Sequence, residues 1–343
     1  MSPMINITLF MSVIMGTMIT LNSNHWLMAW VGLEINMLAI TPLISKTHHP
    51  RATEATIKYF LAQTGASLLM LFSSSMNAWH TGTWDITQLT NPTASALLTT
   101  ALAMKIGLAP MHLWLPEVMQ GTTLMMSLII ATWQKLAPMG LMIMTSYSHS
   151  KPLLLTLATL SIIIGGWGGL NQTQLRKILA YSSIANMGWM IIVLPYSKKL
   201  TTMTLIIYII MVTALFTMLM QQKTNSIKTV GTTWALSPFM TTIMMLALTS
   251  LGGLPPMTGF IPKWLILEEL VTKNLTPLAT LTAMATLLSL FFYLRLFYST
   301  TMTVFPNPTN TEQKWRQNLK STMIIMLLTP PTLLLLPTLP IIL

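Results

Sequence analysis

Runs of about twenty apolar residues recur along this sequence, and charge is confined to short clusters between them. A run of that length crosses the roughly 30 Å of bilayer hydrocarbon only as a helix, because each backbone amide must find its partner within its own segment. A barrel would need alternating segments of about ten residues, a pattern this sequence lacks. Only 7% of the 343 residues are charged, against roughly 25% in soluble domains. The chain therefore reads as an all-α polytopic membrane protein.

The apolar runs fall at 3–21, 25–43, 56–78, 96–121, 123–146, 153–170, 175–195, 200–221, 236–271, 276–299 and 321–341, which predicts 11 transmembrane helices. With that count Lys46, Arg51, Lys58, Arg176, Lys177, Lys223, Lys228, Lys314, Arg316 and Lys320 share the side of the N-terminus. Lys151, Lys198, Lys199 and Lys273 share the other. The positive-inside rule then puts the N-terminus in the cytoplasm or the mitochondrial matrix, and the C-terminus on the opposite side. No basic n-region or Arg-rich presequence precedes the first span, so no cleaved signal is expected. The fourth and ninth runs are unlike the others, because "KIGLAP" and "LGGLPPMTGFIPKW" set Gly and Pro inside them. Pro removes an amide donor and clashes with the turn before it, so both helices should break near mid-membrane. Breaks five helices apart are the mark of an inverted repeat. The expected organisation is one membrane domain: a first five-helix repeat at 1–149, a second inverted five-helix repeat at 150–300, then a loop and C-terminal helix at 301–343.

Four ionisable residues fall near the centres of their spans: Glu34 in the second, Lys105 in the fourth, Lys135 in the fifth and Lys263 just past the break in the ninth. Charge at a helix centre costs roughly 2.5–3.5 kcal/mol on insertion scales. Dehydration favours the neutral amine and a nearby carboxylate favours the ammonium, so moving Glu34 relative to a lysine switches that lysine between holding and releasing a proton. The plainer reading is a static buried pair that fixes helix packing; it leaves two lysines without a role. His112 either passes a proton along the first broken segment or is a hydrogen-bonded packing residue. Glu117 is expected to snorkel or to pair with a surface cation.

Several chemistries find no residues to support them. The chain has no Cys, which leaves no iron–sulfur or thiolate metal ligands. His48 and His49 are adjacent, so neither a haem pair nor a zinc motif is present. "GGWGGL" at 165–170 suits close helix approach better than a nucleotide loop. The net charge of +11 sits at span ends, not along one face, which argues for topology and against nucleic acid.

Taken together, "KIGLAPMHLWLPEV", "ATWQKLAPMG", "NQTQLRKILAYSSIANMGWM" and "GGLPPMTGFIPKW" resemble the antiporter-like membrane subunits of respiratory complex I, and the resemblance covers essentially the whole chain. It implies a 14-helix unit of inverted repeats, here lacking its first three helices. By position it makes Glu34 the acidic partner and Lys105, Lys135 and Lys263 the relay lysines. It further implies a proton-translocating subunit of NADH:ubiquinone oxidoreductase in the mitochondrial inner membrane, with other membrane-arm and supernumerary subunits and membrane lipids as partners. No cofactor would be bound by this chain; NADH, flavin, iron–sulfur clusters and ubiquinone would belong to other subunits. Many relatives carry His where this chain has Asn186, and an amide cannot titrate, so passage there would need water ordered by Asn186. A stand-alone cation/proton antiporter and a non-transporting scaffold are the rival expectations.

Overall fold

The computed structural model describes residues 2–302 and 323–334. Residues 303–322 and 335–343, which include most of the expected 300–320 loop, Lys314, Arg316, Lys320 and both ends of the last expected span, lie outside the described residues. Among the described residues there are fifteen helical segments and no strand. Two compact units divide the chain: residues up to Ser161 with Leu194–Lys198, and Ile162–Val193 with the described residues from Lys199 onward.

The first unit contains α1 (Pro3–Asn22), α2 (Trp26–Ser45), α3 (Pro50–Thr81), α4 (Pro92–Ile106), α5 (Trp114–Gly121), α6 (Leu124–Ala131) and α7 (Trp133–Met144). Three of these open on one device. Ser2, His49 and Asn91 accept an amide hydrogen bond from the new helix and are each followed by proline. Proline suits a first helical position, where its missing N–H would have had no partner anyway. α1 and α2 cross backbone to backbone: a Cβ on Gly16 would lie 2.8 Å from the Gly32 carbonyl oxygen. Met37, Ile40, Ile44, Tyr59 and Ile130 form the apolar core beside them. Pro42 cannot donate to the Leu38 carbonyl, and the Thr41 hydroxyl donates to it instead at 3.0 Å.

α8 (Lys151–Gly169) leads from the first unit into the second, which holds α9 (Leu175–Val193), α10 (Lys198–Gln222), α11 (Ile227–Leu236), α12 (Pro238–Gly252), α13 (Phe260–Thr272), α14 (Thr276–Thr301) and α15 (Met323–Leu334). The glycines of "GGWGGL" serve close approach, as their size suggests. A Cβ on Gly165 would fall 2.7 Å from the Ala185 nitrogen, one on Gly169 would fall 2.8 Å from the Phe292 ring, and one on Gly168 would collide with Tyr181. Beside them Arg295 Nη1 donates to the Leu170 carbonyl at 2.8 Å.

Among the described residues six helical stretches, with α6 and α7 taken together as one, are long and apolar enough to cross a membrane. α3 falls below that hydropathy because it is rich in Thr, Ser and amides, and the broken segments are too short one by one. The ninth expected run differs at its start. Ser226 and Thr229 form a reciprocal cap that begins α11 at Ile227, and Pro238 after Ser237 opens a separate α12. The breaks expected from Gly and Pro are present and are built alike. Gly107 and Gly253 both take left-handed backbone, φ +85° and +80°, just past the ends of α4 and α12. A cis peptide follows two residues on in each, at Ala109–Pro110 and Pro255–Pro256. New helices begin seven residues past each glycine, at Trp114 and Phe260.

Candidate functional site

A broken helix in hydrocarbon must find new partners for the carbonyls it frees. At the end of α4 backbone amides and side chains together supply them. The Ala103 carbonyl accepts from the Gly107 and Leu108 amides, both at 2.9 Å. Trp114 Nε1 donates to the Met104 carbonyl at 3.1 Å, and Gln63 Nε2 of α3 donates to the Lys105 carbonyl at 3.3 Å. At the second break the cap is one of the charged residues itself, since Lys263 Nζ donates to the Gly252 carbonyl at 2.6 Å.

A third interruption lies near Lys135, where Pro138 marks a helix breaker in the sequence but not the place of the break. α6 stops at Ala131 and α7 starts at Trp133, with Thr132 at φ −115°, ψ −71° between them. Pro138 inside α7 denies the Gln134 carbonyl its amide partner, and the Thr132 hydroxyl donates back to the Leu128 carbonyl at 2.8 Å; both loosen this turn.

The interruptions explain where the lysines lie. Lys105 occupies the last turn of α4, Lys135 lies in the first turn of α7 just past the interruption, and Lys263 reaches back to the end of α12. The C-terminal end of a helix carries roughly half a negative charge, which favours a cation. Lys105 and Lys263 thus have a helix C-terminus beside them. Lys105 is 6% exposed and Lys135 is 3% exposed. Glu34, half-buried on α2, acts electrostatically on Lys105 without a contact ion pair between them, and its Oε2 is shielded without a protein hydrogen-bond partner. A static Glu34–Lys105 pair is therefore not what holds these helices together.

His112 is buried in the turn between α4 and α5, its Nδ1 3.2 Å from the Pro110 carbonyl. Glu117 pairs with Lys58 at 2.6 Å, and both side chains are substantially exposed. Lys58 also bonds Glu54, holding that exposed carboxyl below its usual range. In the second unit Asn186 and Lys263 line a cavity of about 30 Å³ together with Thr204, Tyr208 and Trp189. That is ample room for water beside the amide and the amine.

Residues missed by sequence reasoning are the neutral ones that hold the charged ones: Gln63, Trp114, Asn36, Tyr59 and Gln134. The available signal was modest. Tyr59 and Gln63 are polar, four residues apart and so on one helix face, and Gln134 adjoins Lys135 within an apolar run.

Helices interrupted inside the membrane, with buried amines set at the freed carbonyl ends, define an antiporter-type polytopic membrane protein. The family model described as NADH:quinone oxidoreductase/Mrp antiporter, TM, matches residues 23–289, and that described as NADH dehydrogenase subunit 2 C-terminus matches residues 290–343. The chain belongs to this family of NADH:quinone oxidoreductase membrane subunits. The NADH-ubiquinone oxidoreductase chain 2 of Carassius auratus is 55% identical over 100% of this chain and 99% of its own length. That of Struthio camelus is 52% identical, with the same coverage. Among solved structures, a chain of respiratory complex I from Thermus thermophilus with bound aureothin is similar at TM-score 0.82 and 25% identity, covering 98% of this chain and 80% of that one. A chain of the Mrp complex from Dietzia sp. shares the fold at TM-score 0.79 and 19% identity, over 88% of this chain and 61% of that one.

Proposed function

We propose that the chain is a proton-translocating membrane-arm subunit of NADH:ubiquinone oxidoreductase in the mitochondrial inner membrane. Redox events elsewhere alter the coupling of Glu34 to Lys105, and a proton passes by way of Lys135 to Lys263, with His112 as an auxiliary carrier. The observation that carries this reading is the placement of three lysines, Lys105 and Lys135 buried and Lys263 half-buried, beside interruptions in their helices, where at the end of α12 a freed carbonyl takes the amine. The cavity at Asn186 and Lys263 has room for bridging water, which a non-titrating amide would orient.

In the same reading the eleven spans form two inverted five-helix repeats, 1–149 and 150–300, with 301–343 as loop and final helix. Congruent breaks at Gly107 and Gly253 support it. The N-terminus lies in the matrix and the C-terminus in the intermembrane space, following the basic residues. Partners are neighbouring membrane-arm and supernumerary subunits and lipids. The chain binds no cofactor of its own; NADH, flavin, iron–sulfur clusters and ubiquinone are handled by other subunits. The test is Lys105→Met in the assembled complex, with proton release and quinone reduction measured together. A loss of protons per electron is expected. Unchanged values of both would refute the relay.

A further inference from the structure

Both breaks of the first unit lean on one helix that has none. α3 runs unbroken for 32 residues, and its buried face presents Tyr59 and Gln63 one turn apart. Gln63 holds the Lys105 carbonyl. The Tyr59 hydroxyl donates to Gln134 Oε1 at 3.3 Å, and Gln134 Nε2 donates to Asn36 Oδ1 of α2 at 2.7 Å. Gln134 is the chain neighbour of Lys135 and lies just past the interruption at Thr132. The Tyr59 ring also stands edge-on to Trp114, centroids 5.8 Å apart, and the Trp114 indole is the one that caps the Met104 carbonyl. Tyr59 is 1% exposed, Asn36 2% and Gln63 7%.

Burying a phenol and three amides among apolar helices is unfavourable unless each is bonded, and packing alone would be served by Phe, Leu and Met. These groups instead bond to one another and to the backbone of the lysine-bearing segments. We infer that Tyr59 and Gln63 are positioning residues: a neutral clamp on α3 that sets the first turn of α7, and with it Lys135, at a fixed distance from the Lys105 terminus. The inference rests on the proton-relay reading. Interrupted helices are the deformable parts of this unit, and a proton hop between amines depends steeply on their separation. One stiff rod bonded to both interruptions keeps that separation constant while charge moves.

The test is Tyr59→Phe in the assembled complex, which deletes the hydroxyl and keeps the ring against Trp114. Complex content, KM for quinone, protons released per electron and the pH profile of coupled turnover are measured. Expected are wild-type content and KM, coupled turnover lowered roughly 3- to 10-fold as for one buried hydrogen bond, and a displaced pH profile. Gln134→Leu removes that bond and the one to Asn36, so it should lose at least as much, and the double variant should be no worse than Gln134→Leu alone, because the Tyr59 bond is already gone there. Gln63→Leu, of similar volume, tests the other arm with the same readouts. Wild-type turnover and pH profile in Tyr59→Phe, or multiplicative losses in the double variant, would overturn the clamp. So would a loss of complex with a normal proton yield in what remains. Lys135→Met run alongside separates the two ideas: normal pumping there defeats the relay itself, whereas defective Lys135→Met beside normal Tyr59→Phe defeats the clamp alone.

Discussion

Lys263 has two duties that substitution can separate. Its amine donates to the Gly252 carbonyl at 2.6 Å, which closes the end of α12, and in the proposed relay it takes up and gives off a proton. Methionine removes both, glutamine keeps a donor without a charge, and arginine keeps donors and charge but releases no proton at any working pH. Leaving a buried carbonyl unpaired costs about 1–3 kcal/mol. For a unit of 150–250 residues each kcal/mol is worth roughly 2–4 °C, so Lys263→Met should lower the thermal midpoint of the complex by roughly 2–12 °C. Lys263→Arg and Lys263→Gln should lie much closer to the wild type. All three should lose proton release relative to quinone reduction. Thermal inactivation of purified complex, followed by NADH:quinone activity, gives the first quantity, and reconstitution in vesicles with a pH-sensitive dye gives the second. Equal heat stability of the Met and Gln variants would refute the capping role. Full proton yield in the Arg or Gln variant would refute the titrating one.

Four other outcomes follow from the geometry. Gly253→Ala should cost about 1–2 kcal/mol for its left-handed backbone and also abolish pumping, because its Cβ would sit 2.8 Å from Lys263 Nζ; Gly82→Ala, at φ +71° with nothing within 4 Å, should show only the backbone cost in the same heat and proton assays. Trp114→Phe frees the Met104 carbonyl while keeping a ring beside Tyr59, and should destabilise by about 1–3 kcal/mol, read as lower assembled content after a heat challenge. Burial lowers His149, in the turn after α7, from 6.5 to about 4, so its stabilising contribution is intact above pH 6.5 and lost progressively as pH falls to about 4; at about 1.4 kcal/mol per pH unit that is roughly 3 kcal/mol, and His149→Gln should flatten the thermal midpoint over that range. Glu117→Gln breaks an exposed pair with Lys58 and should change stability by less than about 1 kcal/mol in the same melt.

The helical character and the two breaks at Gly107 and Gly253 were open to sequence reasoning because their causes are local: apolar run length, and residues that cannot continue a helix. The buried charges were open to it too, because Lys105 and Lys135 stand alone in apolar runs. Their partners were not. Gln63 meets the Lys105 carbonyl across 42 positions of chain, and Gln134 meets Asn36 across 98. No local pattern encodes a contact of that range. The interruption at Thr132 was hidden for a different reason: Pro138 announces a distortion but not its place, which Thr132 fixes through its own back-bond to Leu128. Glu34 was anticipated as a partner for a lysine, yet its relation to Lys105 is action at a distance, which spacing along a sequence cannot distinguish from contact.

The carbonyl at the end of α12 also bears on which ions this fold can serve. In transporters with broken helices, unwound carbonyls and helix ends are where sodium is coordinated. Here the Gly252 oxygen already holds the nitrogen of Lys263, a competitor tethered by its own side chain and so present at millimolar-scale effective concentration or above. An alkali metal would have to evict it and then lie beside a positive charge. That tethered amine makes this helix end a poorer seat for an alkali metal than an open carbonyl would be.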